Sequence, residues 1–189
     1  MNILAESNID TVVYYSELES LIGPLTVCTT EIGLCLLKFG MYKHTQEDIK
    51  KWVKNQFGSA ELCADEERLA VAKVQLEDYF AGRLQSFELP LDMRGTAFQL
   101  QVWEALCTLS YGEAGSYKDI ALLIGNPKAV RAVGGANNRN PVPIIVPCHR
   151  VIGASGSLIG YAGGLAIKSR LLQLEAEHAT GNEAGAYLF

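Results

Sequence analysis

A thiol, an imidazole and a guanidinium stand in a row at Cys148-His149-Arg150, directly after the apolar run Asn140-Pro-Val-Pro-Ile-Ile-Val-Pro147. Thiolate is the nucleophilic form of cysteine, and neighbouring positive charge favours it. His149 and Arg150 are the expected source of that charge, while the prolines fix φ and restrict how the chain reaches the thiol. Cys148 is therefore the first candidate for chemistry. A Cys-His dipeptide alone carries little weight, because cysteine is among the most buried residue types and adjacent side chains on a helix diverge. The surroundings make the case for a reactive thiolate.

The remaining cysteines, Cys28, Cys35, Cys63 and Cys107, bring the total to five at irregular spacing. An odd count in a chain without an export signal argues against a disulfide framework. Cys107 is expected in the core, on the apolar side of a helix. Cys28, Cys35 and His44 could be drawn together as metal ligands, but no CxxC pair supports this, so no metal and no cofactor are expected.

A chain of 189 residues, 49% hydrophobic and 20% charged, is a globular protein with room for one ample core or two small ones. No apolar run approaches the roughly 18 residues a membrane span needs. Met1-Asn-Ile-Leu-Ala-Glu lacks the basic start and long apolar segment of a secretory signal, so a cytoplasmic protein without membrane association is expected. The net charge of −5 is unevenly spread: residues 91–175 hold eight basic and five acidic residues, a net of +3. That surplus permits phosphate binding on one face, with a shallow salt dependence.

The elements that must position Cys148 can be read from both sides of it. Thr11-Val-Val-Tyr-Tyr, Gly23 to Thr30 and Gly33 to Phe39 read as strands of a small antiparallel sheet. Gln46 to Gln56, through Ile49, Trp52 and Val53, and Glu66 to Phe80, through Leu69, Val71, Val74, Leu76, Tyr79 and Phe80, read as helices packed on it. Asp65, Glu66 and Glu67 form a solvated helix start and no catalytic cluster. Gly82 to Asp92 is the linker, which gives domains 1–90 and 91–175 and a tail, 176–189. Thr96-Ala-Phe-Gln and Ser116-Tyr-Lys-Asp are capping boxes that open helices through Phe98, Val102, Leu106 and Leu109 and through Ile120 and Leu123. Trp103 is core or packs between domains. Asn126 then caps and Pro127 begins a further helix through Lys128, Val130, Arg131 and Val133, making a helix-turn-helix. Its second helix carries Ala129, Ala132, Gly134, Gly135 and Ala136, small residues that let something approach the backbone closely.

The block Pro-Val-Pro-Ile-Ile-Val-Pro-Cys-His-Arg-Val, preceded by Tyr117 and Arg131-Ala-Val-Gly-Gly-Ala and followed by Tyr161-Ala-Gly-Gly-Leu-Ala-Ile-Lys-Ser-Arg-Leu-Leu, closely resembles the O6-alkylguanine-DNA alkyltransferases, from about Gly95 to Glu175. The first ninety residues match loosely. The resemblance implies an α/β protein, with a ribonuclease-H-like α/β domain followed by a mainly helical winged-helix/helix-turn-helix domain. It implies a suicide repair protein that moves an alkyl group from O6-alkylguanine, with O4-alkylthymine as a second candidate, onto Cys148 in one turnover. Double- and single-stranded DNA are the implied partners, and the protein is expected to be a monomer.

By the same resemblance, minor-groove docking uses Asn126, Ala129, Gly134, Gly135, Ala136 and Arg139. Arg131 fills the stack left by an extruded base. Tyr117 rotates the 3′ phosphate and later protonates guanine N3. Glu175 orients His149, which takes the thiol proton through a water, and Asn140 holds the turn. Pro143, Tyr161, Ala162, Gly163 and the carbonyls near Cys148 and Val151 shape the alkylguanine pocket, with Pro141 beside Pro143 in its wall. Gly160 and the paired glycines suggest room beyond methyl. Ala162 stands where the family often has Ser, which removes a hydroxyl contact. Asn137 and Asn138 stand where relatives place longer or basic side chains, which implies weaker DNA binding.

Three other readings compete. A non-catalytic alkyltransferase-like lesion binder lacks the cysteine, often having tryptophan, whereas Cys148 is present. A cysteine hydrolase would turn over repeatedly without DNA and leaves the small-residue helix unexplained. A fused transcriptional regulator adds a zinc-bearing sensor with no counterpart in this length.

Overall fold

The computed structural model describes residues 11–179. Strands β1 (Thr11–Leu18), β2 (Leu25–Thr29) and β3 (Leu34–Phe39) form an antiparallel meander in which Tyr14 faces Thr29 and Leu25 faces Phe39. Helix α1 (Tyr42–Phe57) then carries the chain across to β4 (Ala60–Ala64), which lies parallel to β1 and gives the order β3-β2-β1-β4. The sheet is thus mixed, where the sequence predicts an antiparallel one. Ala-Glu-Leu-Cys-Ala has no β-branched residue, and its strand forms only because the helical crossover delivers it to the β1 edge.

Both faces of this sheet are covered. Val13, Cys28, Cys35 and Leu36 pack with Ile49 and Val53 of α1, while Leu25, Val27 and Leu37 pack with Leu69, Leu76 and Tyr79 around helix α2 (Ala70–Phe80). Each fully buried Leu or Ile contributes about 1.5–3 kcal/mol relative to exposure. Val71 and Val74 do not join that core, being 65% and 54% exposed. Ala72 takes the inward position, so the helix begins later and turns differently from the spacing read in the sequence. Cys28 and Cys35 are buried, and His44 is exposed on α1. Among the described residues, no group of three or more His, Cys, Asp or Glu is placed to share a metal ion, and no helix is long and apolar enough to cross a membrane.

The linker is a strap seated on β3. Leu34 N donates to Pro90 O at 2.9 Å, Asp92 N donates to Leu34 O at 2.8 Å, and Leu37 N donates to Pro141 O at 2.8 Å. Gly33 is required here: a Cβ at this position would lie 2.4 Å from the Pro90 carbonyl. Asp92 is buried and accepts from Thr30 Oγ1 and Arg94 Nε, which secures the junction.

Both capping boxes form, Thr96 with Gln99 opening α3 (Ala97–Leu106) and Ser116 with Asp119 opening α4 (Tyr117–Leu123). Trp103 on α3 is buried and donates its indole N–H to Ala136 O at 2.9 Å. Leu123 is 60% exposed, so Ile120 and Ala121 carry the packing of α4. Helix α5 (Val130–Asn138) starts at Ala129 and not at Asn126, whose carbonyl closes a turn with Ala129 N. Residues 124–129 form that longer turn. Cys107 lies at the C-cap of α3 and is exposed, because α3 ends before its apolar stripe would turn it inward. Short strands β5 (Gly115–Ser116) and β6 (Val151–Ile152) pair in parallel, and α6 (Leu165–His178) closes the fold three residues beyond the expected boundary at Glu175.

Candidate active site

Cys148 opens a 3-10 turn, Cys148–Arg150, at the end of a tightly fixed loop. Pro147, at φ −80° and ψ 60°, forms an inverse γ-turn in which Cys148 N donates to Val146 O at 2.8 Å. Asn140 Nδ2 donates to the same carbonyl at 2.8 Å, and Asn140 Oδ1 accepts from Val142 N at 3.0 Å. Asn140 thus bridges Val142 and Val146 within the turn. Ile144 within it has φ +78°, a left-handed conformation that a β-branched residue adopts at a cost of about 1–3 kcal/mol. Buried Pro141, Pro143 and Val142 enforce it.

Behind the turn lies a buried polar relay. His149 Nε2 is 2.7 Å from Glu175 Oε1, and Arg150 donates through Nε to Oε2 at 2.8 Å and through Nη2 to Oε1 at 3.0 Å. Gly112 N adds a bond to Oε2 at 3.1 Å, and Tyr79 Oη donates to Oε1 at 2.7 Å. Burial would raise the Glu175 pKa, but His149 and the Arg150 pair outweigh it and hold the carboxyl at about 2. An ionised carboxylate only accepts, so Nε2 carries the His149 proton. Burial pushes the His149 pKa down against the pull of Glu175, leaving a neutral ring whose Nδ1 lone pair has no partner among the described residues.

The thiol's electrostatics differ from the sequence reading. Cys148 is 2% exposed, and burial pushes its pKa up to about 11. A hydrogen bond with Asn140 and the charge of Lys168 work against burial, whereas Arg150 is committed to Glu175. Lys168 escaped the sequence reading as a site residue. Its buried Nζ donates to Val151 O at 2.6 Å and Ile159 O at 2.8 Å, with burial lowering its pKa to about 8. The available signal was spacing: Lys168, Leu171, Leu172 and Glu175 share one helical face, so two charges point inward two turns apart.

Around the thiol, Tyr161 is 8% exposed with its hydroxyl unpartnered among the described residues, and its ring lies 5.7 Å from Phe39 of β3. Gly163 also lies against Phe39, whose ring would be 2.9 Å from a Cβ there. Ala162 and Pro143 border an interdomain groove of about 480 Å³. The Val151 carbonyl, expected to face guanine, is engaged by Lys168. Tyr117 Oη donates to Ile159 O at 3.0 Å.

On the outer side, Arg131, Ala132, Asn126 and Asn138 are exposed, and Gly134 lies 3.8 Å from the Tyr117 ring by the position of its notional Cβ. Ala129 and Gly135 are half-buried, and Arg139 Nη1 folds back to Gly135 O at 3.1 Å. Two expected DNA-facing positions turn inward. Ala136 is buried under Trp103, and Asn137 is buried with Nδ2 donating to Cys148 O at 3.3 Å. Asn137 follows Val133 by one turn on the inner face of α5, which attaches the helix to the thiol's own backbone.

A buried thiol, an imidazole held by a carboxylate, and a helix-turn-helix attached to the thiol's backbone define the site. The 6-O-methylguanine DNA methyltransferase ribonuclease-like domain matches residues 13–93, and the DNA binding domain of the same name matches residues 97–177. The chain is 50% identical over 163 residues to the methylated-DNA–protein-cysteine methyltransferase of Methanosarcina barkeri, covering 86% of this chain and 97% of that one. It is 45% identical over 163 residues to the constitutive enzyme of Bacillus subtilis, covering 86% and 94%. The crystal structure of Mycobacterium tuberculosis O6-methylguanine methyltransferase superposes with a TM-score of 0.77 at 46% identity over 90% of this chain and 96% of that one. The M. tuberculosis protein in complex with DNA gives 0.75 at 45% identity over 88% and 94%. This chain belongs to the 6-O-methylguanine DNA methyltransferase family, DNA-binding proteins that repair DNA by direct alkyl transfer.

Proposed function

We propose that Cys148 is the acceptor of the alkyl group of O6-alkylguanine, with His149, Glu175, Asn140 and Tyr117 completing the site. The thiol proton passes to His149 Nδ1, directly or through one water. Cys148 Sγ then attacks the alkyl carbon in line: the S–C bond forms, the C–O6 bond breaks, and its electron pair passes to the guanine, which takes a proton at N3 from Tyr117. The thioether has no leaving route, so one molecule serves one lesion.

The observation that carries this reading is the buried Glu175–His149 pair, which leaves Nδ1 as the one basic ring nitrogen directly next in sequence to a buried thiol. The exposed Arg131 and the small outer face of α5 support extrusion of the base from duplex DNA, since a stacked base hides its alkyl carbon from a thiol. Asn126, Ala129, Gly134, Gly135 and Arg139 line that approach, and Tyr161, Ala162, Gly163, Val151 and Pro143 wall the alkyl group. The protein acts as a cytoplasmic monomer, without cofactor, on double- and single-stranded DNA.

Intact mass after incubation with duplex DNA containing O6-methylguanine tests it. One added methyl group mapping to Cys148, and none on Cys148→Ala, is expected. An adduct on Cys28, Cys35, Cys63 or Cys107 would overturn it.

A further inference from the structure

Among its described residues, the first domain sends a polar group into the relay. Tyr79, on the inward face of α2, is fully buried, and its hydroxyl donates to Glu175 Oε1 at 2.7 Å while lying 3.4 Å from His149 Nε2. We propose that Tyr79 is a positioning residue for His149: its hydroxyl fixes the Glu175 carboxylate, and so sets how strongly that carboxylate holds the Nε2 proton and how basic the opposite nitrogen is. The proposal rests on reading His149 as the proton acceptor of Cys148.

Packing alone does not explain a tyrosine here. The ring sits against Phe80, Phe87 and Tyr111 at centroid distances of 5.5, 5.3 and 6.0 Å, an environment that phenylalanine would fill without a hydroxyl to desolvate. Burying a hydroxyl is tolerated when it finds a strong acceptor, and an ionised carboxylate is the strongest one available. Oε1 takes three donors, Tyr79, His149 and Arg150, whereas Oε2 takes Arg150 and Gly112. Removing the Tyr79 bond leaves the negative charge on Oε1 shared between two donors. The carboxylate then draws the His149 proton harder and favours imidazolium. The groups that face His149 are Glu175 and Lys168 from α6, Arg150 and Cys148 from its own turn, and Tyr79 from α2. Of these, only Tyr79 belongs to the first domain.

Single-turnover transfer from duplex O6-methylguanine, measured from pH 5 to 9 for the wild type, Tyr79→Phe, Phe80→Leu and His149→Gln, separates the roles. In Tyr79→Phe the acid-side midpoint should move up by roughly half a pH unit or more, so the rate should fall up to about threefold on the acid limb and little at neutral pH. Phe80→Leu loosens the same packing without touching the hydroxyl, so it should lower the melting temperature and leave the midpoint in place. A Tyr79→Phe midpoint equal to that of the wild type, or a Phe80→Leu midpoint that shifts equally, would overturn the positioning role. His149→Gln reports on the underlying reading: if it retains the wild-type acid limb, His149 is not the acceptor. If it loses that limb while Tyr79→Phe does not move it, Tyr79 alone is excluded. The ¹⁵N shifts of His149 give an independent check, since its titration should move in Tyr79→Phe and stay fixed in Phe80→Leu.

Discussion

Arg131 and Arg150 are two guanidiniums on one domain with opposite lives. Arg131 is exposed on α5 and has no hydrogen bond or ion pair among the described residues. Arg150 is buried, donates twice to Glu175 and once to Leu109 O at 2.6 Å, and lies 5.7 Å from the Tyr111 ring centroid. An interior charge is tolerable only when its donors are matched, whereas a surface charge that must meet DNA keeps its donors free. The inner region is built to hold one arrangement, and in the proposed function the outer region completes itself on DNA. Damage inside should therefore cost both stability and rate, while damage outside should cost rate on duplex DNA alone.

The largest test of that contrast is Glu175→Gln, which leaves Arg150 buried without a counter-charge. A loss of about 3–5 kcal/mol is expected by denaturant unfolding, together with loss of transfer. The Glu175 carboxyl has a folded pKa of about 2 against an ordinary 4.5, so its contribution is present above 4.5 and disappears as pH falls towards 2. The stability gap between wild type and variant should narrow across that window; a gap independent of pH would break the inner half of the comparison.

Lys168→Met should come next, because it removes the cation nearest the thiol and the clamp on Val151 O and Ile159 O. Each unit by which the thiol pKa rises removes about nine-tenths of the thiolate at neutral pH, so single-turnover transfer should slow roughly tenfold or more. Lys168 titrates at about 8, so the wild-type advantage should shrink above that pH. A constant ratio up to pH 9.5 would assign Lys168 to the clamp alone.

Arg131→Ala sharpens the outer half. Transfer from a fully paired duplex should slow much more than transfer from a single strand, with the melting temperature unchanged, because only the duplex has a stack to refill. Equal slowing on both, with a salt slope smaller by about one, would reduce Arg131 to a phosphate contact. Asn137→Ala should have the smallest effect. It removes one neutral hydrogen bond to Cys148 O and is expected to cost about 1 kcal/mol, read as a fall in melting temperature, with little change in DNA affinity. A large loss of DNA affinity would return Asn137 to the outer face.

Local signals were legible in the sequence, and remote meetings were not. Thr96 and Ser116 announce their helices because a capping box involves only four consecutive residues. Cys148 and His149 could be picked out because they are adjacent in a proline-rich run, whereas Asn140 entered only through the family resemblance. β4 was missed because Ala60–Ala64 has no strand propensity of its own, and Asn126-Pro127 misled because a turn can use the same residues as a helix start. Cys107 was misplaced by extending the α3 pattern one residue too far. Tyr79 meets Glu175 across 96 residues, and no spacing rule spans that distance.

The bonds that join the two halves differ in what inheritance must preserve. Leu34 and Leu37 bond through their backbone to Asp92 and Pro141, contacts that any residue can make, whereas the Tyr79 hydroxyl bonds to the Glu175 side chain, a contact that only a matched pair can make. A hybrid that took its first ninety residues from a distant relative would need a hydroxyl opposite Glu175. A recombinant at this boundary is therefore expected to keep full activity only where that one match is kept.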